Sequence, residues 1–289
     1  MRLKLGTRGS LLATTQSGQV AHAIQQATGC EVELVVISTR GDQIQDRPLQ
    51  DVGGKGLFTL ELEEALRDGS VDLAVHSLKD MPTDDPPGLT LQAIPERADP
   101  RDVLVGKRLE DLKPGAIVGT GSVRRRLQLL ALRPDLDIRG IRGNVDTRIR
   151  KMRDGAYDAI VLAAAGLARL GRSDEIDQAF SLEEMIPAVG QGALAVQCRR
   201  DDPRVHRLLD AIHHPPTATC VAAERSFLHT VSGGCSAPAA CHAVFEGDQV
   251  RGEGFWAADE DSPGRRKVLR TDPMHVVAMG RALAKALTA

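Results

Sequence analysis

VDLAVHSLKD, residues 71–80, is a short apolar run that stops on charge. Val71, Leu73, Ala74 and Val75 have the composition of a strand buried on both faces of a sheet. His76, Ser77, Lys79 and Asp80 then follow within five positions. In an open parallel sheet, ligands collect beyond the carboxyl ends of the strands. The polar tail therefore marks a candidate site at one sheet edge.

The flanking sequence supports such a sheet. LFTLELEEALRDG (57–69) reads as a helix with Leu57, Leu60, Leu62 and Leu66 close to one face. EVELVVIS (31–38) and LKLGT (3–7) read as further strands. Ser10 is placed to cap a helix running to about Thr28, with Gly29 as its stop. The glycine-rich stretch from Gly41 to Gly56 has the length and polarity of a lid. This β-α-β alternation predicts parallel sheets with helices on both faces.

Downstream, MPTDDPPG (81–88) breaks the pattern and PERADPRD (95–102) reads as a crossover. A second alternating unit follows. It has strands at AIVGTGS (116–122), LDIRGI (136–141) and the start of YDAIVLAAAGLARLG (157–171), with helices at VRRRLQLLALR (123–133) and NVDTRIRKMRDG (144–155). PAVGQGALAVQCR (187–199) returns the chain to the first unit. From about His214 the character changes: a helix (217–231), then GGCSAP, strands at 239–246 and 249–257, and a closing helix at 274–288. The expected class is α/β, with two doubly wound domains and a small α+β C-terminal domain. The expected boundaries are 1–97 with 191–213, 98–190, and 214–289.

Composition narrows the function. Aromatic residues are 2% of the 289 and the net charge is −2, so there is neither a stacking platform nor a global basic field for nucleic acid. The chain shows no secretory signal and no run of 18 apolar residues, so a cytoplasmic protein with no membrane span is expected. The five cysteines, Cys30, Cys198, Cys220, Cys235 and Cys241, lack CxxC spacing, and no metal site is expected.

Three constellations carry possible chemistry. Nine arginines fall between 124 and 153. Arg133, Arg150 and Arg153 read as solvated helix residues, whereas glycines or strand ends flank Arg124, Arg125, Arg142 and Arg148. A cation at a helix N-terminus opposes the dipole, and a bound anion would offset it. In the second, Lys79 and Asp80 are either a solvated pair or an anion-binding lysine beside an acid–base carboxylate. The third is Cys235 in SGGCSAP (232–238), whose glycines and proline give a loop suited to a reactive or modified thiol, while Cys198 within ALAVQC reads as buried.

Together the stretches TRGS (7–10), TRGD (39–42), VGGKGLF (52–58), VHSLKD (75–80), VGTGSVRR (118–125), IRGNVDTR (141–148), LAAAGLARLG (162–171), PAVGQGALAVQCR (187–199), AAER (222–225) and GGCSAP (233–238) resemble the porphobilinogen deaminase (hydroxymethylbilane synthase) family. The matches are in order and span nearly the whole chain. The resemblance implies two periplasmic-binding-protein-like domains and a third carrying a dipyrromethane cofactor on Cys235 through a thioether. It implies condensation of four porphobilinogen units with loss of ammonia, then hydrolytic release of hydroxymethylbilane. It assigns Asp80 as the catalytic carboxylate, close to the cofactor. Lys79, Ser122, Arg124 and Arg125 go to the cofactor carboxylates, and Arg8, Ser10, Gln16, Arg142, Arg148 and Arg169 to the substrate and growing chain. It further implies a monomer that takes porphobilinogen as its small-molecule partner. Asp42 also matches a family position, whereas Asp51 stands where some members carry a basic residue. Two other classes compete. A non-enzymatic anion-binding protein leaves Cys235 and Asp80 without a role, and an RNA binder conflicts with the charge and aromatic content.

Overall fold

Two five-stranded sheets and one three-stranded sheet are present among the residues described by this computed structural model, 2–39, 59–231 and 238–289. In chain order the first elements are β1 (Arg2–Thr7), α1 (Leu11–Thr28), β2 (Glu31–Val36), α2 (Leu60–Arg67), β3 (Leu73–Ser77) and β4 (Leu89–Ala93). Next come β5 (Asp102–Val105), β6 (Ile117–Gly119), α3 (Val123–Leu132), β7 (Asp137–Arg139), α4 (Val145–Lys151), β8 (Ala159–Ala163), α5 (Ala164–Arg169) and β9 (Gln178–Ala179). The chain continues through β10 (Leu194–Arg199), α6 (Pro203–Leu209), α7 (Pro215–Val231), β11 (Ala239–Glu246), β12 (Gln249–Trp256), β13 (Arg265–Thr271) and α8 (Val276–Thr288). The expected lid, 41–56, and the GGCSAP cysteine lie outside the described residues.

The chain divides into two compact units, Met1–Arg97 with Ala193–Ala218, and Ala98–Gly192 with Thr219–Ala289. The first unit holds a sheet in the order β2-β1-β3-β10-β4, and the second unit holds one in the order β7-β6-β8-β5-β9. Both follow one plan. β1, β2 and β3 are mutually parallel, as are β6, β7 and β8. β10 then runs antiparallel to β3, and β5 antiparallel to β8. The sheets are therefore mixed, which corrects the all-parallel expectation. In each case the antiparallel strand is the one entered from a crossover, without a helical return along the same sheet to hold it parallel.

The first core follows from alternation along β3. Leu73 and Val75 pack with Leu3, Leu5, Ile24 and Cys198, while Ala74 on the opposite face meets Leu62 and Leu66 of α2. Leu60 departs from expectation: it is 43% exposed, and the buried face of α2 is Leu62, Glu63 and Leu66. α1 starts and stops as its sequence indicates. Ser10 Oγ accepts from the Ala13 amide, and Gly29 closes the helix at φ +70°.

In the second unit, β5, β6 and β8 bury Leu104, Val118 and Val161 on one face and Val103, Val105 and Ile160 on the other. The C-terminal sheet is antiparallel in the order β11-β12-β13. α8 covers it with Val276, Met279, Leu283 and Leu287. β13, sequence RRKVLRT, was not expected as a strand, because charged residues on an edge strand hide the apolar alternation. A side chain at Gly280 would collide with the Ala223 carbonyl of α7, so the two helices cross there with only a hydrogen between them.

Candidate functional site

The carboxyl ends of β1 and β3 lie side by side, because Leu5 pairs with Leu73 and Gly6 with Ala74. That register brings Arg8 and Ser10, which follow β1, to the same sheet edge as Lys79 and Asp80, which follow β3. Lys79 and Asp80 are exposed in a single 3-10 turn, Leu78–Asp80, with Leu78 buried beneath them. Ser10 accepts from the helix at the N-cap and keeps its own hydroxyl proton to donate. Gln16 is 5% exposed, and its Nε2 donates to Ser77 Oγ at 3.0 Å, fastening α1 to the residue that precedes the turn.

One step back along β3, the His76 ring is buried and its Nε2 lies 3.1 Å from Gln197 Oε1. Burial, reinforced by the Arg8 charge and only partly opposed by the Gln197 bond, lowers its pKa to about 4. His76 is therefore neutral at physiological pH and is a support beneath the edge, not a cation within it.

The second unit repeats the arrangement. β6, β7 and β8 end together, leading into Ser122 and α3, into Arg142 and α4, and into α5 with Arg169 at its end. Ser122 Oγ accepts from the Arg125 amide and Asn144 Oδ1 from the Thr147 amide, so both helices start on side-chain caps. Arg148 is half-buried and its Nε donates to the Gly143 carbonyl at 2.7 Å. Burial lowers its pKa, and the neighbouring charges of Arg125 and Arg142 lower it further. An anion beside Arg148 would oppose both effects and favour its charged form. Arg169 donates to the Gly192 carbonyl at 2.7 Å; burial lowers its pKa to about 10, so it remains charged at neutral pH.

Arg124 and Arg125 are buried to 6% and 7% exposure, and between them lies the carboxylate of Asp102, which no motif marked out. Arg124 Nη1 meets Asp102 Oδ2 at 2.7 Å and donates to the Ile186 carbonyl, also at 2.7 Å. Arg125 reaches Asp102 Oδ1 through Nε at 2.9 Å and through Nη2 at 2.7 Å, and its Nη1 donates to the Val161 carbonyl. Burial alone would raise the Asp102 pKa, but the two guanidinium groups hold it well below the usual carboxylate range. A protein carboxylate thus already offsets the two cations at this helix start. The only signal in the sequence was an acidic residue leading the apolar run of β5.

Arg133 departs from expectation, whereas Arg153 does not. Arg133 is no solvated helix residue: it pairs with Asp135 and donates to the carbonyls of Leu109 and Leu112. Arg153 is exposed and paired with Glu175. Cys30, Cys198, Cys220 and Cys241 are buried, and burial pushes the Cys198 thiol up to about 12. Among the described residues no group of three or more His, Cys, Asp or Glu could hold a metal. No described helix is long and apolar enough to cross a membrane.

The fold defines a class: a two-unit α/β protein in which each unit carries cationic side chains at the carboxyl ends of its parallel strands. The chain belongs to the porphobilinogen deaminase family. Residues 3–207 match the model described as porphobilinogen deaminase, dipyromethane cofactor binding domain, and residues 218–289 match its C-terminal domain. A porphobilinogen deaminase of Roseiflexus castenholzii is 48% identical over 99% of this chain and 95% of its own length. That of Geobacter sulfurreducens is 45% identical over 100% and 92%. Among solved structures, immunogenic lipoprotein A from Vibrio vulnificus is similar at a TM-score of 0.44 and 12% identity, covering 77% of this chain and 99% of that one. The donor set fits the group that the family model names, because each pyrrole of a dipyrromethane bears carboxylates and the second unit clusters guanidinium groups at one edge.

Proposed function

We propose that this chain is a transferase that condenses four porphobilinogen units head to tail on a dipyrromethane primer, releasing ammonia at each step and finally linear hydroxymethylbilane. The half-buried Arg148, fixed by its bond to the Gly143 carbonyl and close to the charges of Arg125 and Arg142, is the observation that supports this reading. A carboxylate that reaches it opposes both the burial and the neighbouring positive charges. A chain of pyrroles brings carboxylates with every unit added.

When bound, the dipyrromethane supplies the pyrrole carbon to which the first unit is joined. Cys235 would hold it through a thioether, and Lys79, Ser122, Arg124 and Arg125 would hold its carboxylates. Arg8, Ser10, Arg142, Arg148 and Arg169 take the carboxylates of substrate and growing chain. Gln16 contributes through Ser77, which it fastens at the start of the Lys79–Asp80 turn. Asp80 lies at a strand end open to ligand, and its carboxylate stabilises the positive charge that develops on the substrate pyrrole as ammonia departs. It also accepts a pyrrole proton in passing. The protein acts as a cytoplasmic monomer without nucleic-acid or membrane partners.

The test is intact-mass spectrometry of the purified protein, followed by incubation with porphobilinogen. Two linked pyrrole units above the sequence mass, further additions with substrate, and ammonia release are expected. A chain at its bare sequence mass that neither consumes porphobilinogen nor gains pyrroles would favour the non-enzymatic anion-binding class.

A further inference from the structure

We infer that Asp102 is a positioning residue for the anion-binding edge of the second unit, orienting Arg124 and Arg125 and joining them, through Gln191, to both segments that cross between the units. This rests on the function proposed above and adds a residue to it. Asp102 opens β5 with no solvent exposure, and both of its carboxylate oxygens are engaged by guanidinium groups. Gln191 Nε2 bridges Asp102 Oδ1 at 2.9 Å and the Pro100 carbonyl at 2.7 Å. Pro100 lies on the segment leading into β5, and Gln191 on the one leading out toward β10. Between them the Ala98 amide donates to the Gly192 carbonyl, and Gly192, at φ +87°, has no room for a side chain against Ala98. One carboxylate therefore fixes the first turn of α3 and two backbone segments far apart in sequence.

Two effects of Asp102 oppose each other. Its charge weakens the local field that attracts carboxylates, whereas its contacts hold both guanidinium groups in place. Positioning is the larger effect here. Each guanidinium makes several bonds into the interior, and those to Asp102 are the only bonds either makes to a carboxylate among the described residues. Without the acid, two buried cations would repel and turn toward water.

The test compares Asp102→Asn, Asp102→Glu and Gln191→Leu with wild type. It measures the fraction of molecules carrying the pyrrole adduct by intact mass, kcat per adduct-bearing molecule, KM for porphobilinogen, and folding by circular dichroism. Misplaced binding groups typically cost about tenfold to a hundredfold. Asp102→Asn should lower the adduct-bearing fraction about tenfold or more, with KM and kcat per loaded molecule changing far less. Asp102→Glu should recover part of the loss. Gln191→Leu keeps the ion pairs, and should lower the adduct-bearing fraction a few-fold. A folded Asp102→Asn with loading within about twofold of wild type overturns the inference. If Asp102→Asn does not fold, unchanged loading in folded Gln191→Leu overturns it. Wild-type protein with no adduct defeats the functional reading itself, whereas loaded wild type with unmoved variants defeats only this inference.

Discussion

The Glu224 carboxylate accepts a 2.7 Å hydrogen bond from the Gly190 amide, with both groups buried. Its other oxygen accepts from the Ala243 amide at 2.9 Å, and His242 lies 3.4 Å away. A single side chain of α7 thus fastens β11 and the segment before β10. α7 and β11 are the elements on either side of the 232–237 segment that contains Cys235. Glu224→Ala leaves two buried amides without an acceptor, at about 1–3 kcal/mol each. Denaturant unfolding should show a loss of about 2–6 kcal/mol, with a smaller loss for Glu224→Gln. A loss below about 0.5 kcal/mol would show that Glu224 is not the fastening.

His76 should make stability fall in mild acid. Its folded pKa of about 4 lies below the ordinary 6.5, so between these values the unfolded chain binds a proton that the folded chain refuses. Stability is full above about pH 6.5 and declines as pH falls toward 4, by at most about 3 kcal/mol. Unfolding curves of wild type and His76→Gln at intervals from pH 7 to 4 isolate this contribution. Parallel pH dependences for the two proteins would refute it.

Cys235 should be the sole attachment point. The other four cysteines are buried, and the Cys198 thiol is held neutral by its surroundings. Intact mass should lose two pyrrole units in Cys235→Ser and keep them in Cys30→Ser, Cys198→Ser, Cys220→Ser and Cys241→Ser. An adduct persisting in Cys235→Ser moves the attachment elsewhere.

Arg148 and Arg153 share a helical stretch but should behave oppositely. Arg148→Leu removes a cation from the repelling cluster, and loss of a charge-assisted contact of about 1.5–3 kcal/mol should raise KM for porphobilinogen roughly tenfold to a hundredfold. Arg153 makes an exposed ion pair with Glu175, worth about 0–1 kcal/mol, so Arg153→Leu should be nearly silent. Equal KM values for the two variants would remove Arg148 from the binding edge.

Asp80→Asn should separate rate from binding. The amide keeps the shape but loses the charge that favours the cationic state, which lowers kcat by about a hundredfold to ten-thousandfold while the primer stays loaded. Asp80→Glu, with a displaced carboxylate, should retain a small activity and accumulate enzyme-bound intermediates visible by native mass spectrometry. Single-turnover rates of loaded Asp80→Asn within a few-fold of wild type would pass the role to another acid, Asp42 first.

Local signals settled much of this protein before folding is considered. Ser10 and Gly29 bound α1 because capping and left-handed backbone are short-range properties of those residue types. Leu73–Ser77 becomes β3 because a short apolar run bounded by polar residues suits a strand buried on both faces, and the polar residues after it land at a sheet edge. The order of motifs from TRGS to GGCSAP was sufficient to indicate the family. Tertiary structure alone decided which charges are in solvent and which are held inside. Arg124, Arg125 and Arg126 are consecutive, yet the first two close on Asp102, 22 and 23 positions away, while the third pairs with Asp261 near the surface. The direction of β5 and β10, the brace of Gln16 on Ser77 and the fastening by Glu224 were equally invisible. Each joins residues distant in sequence, and a linear pattern records what a residue prefers but not which partner the fold brings to it.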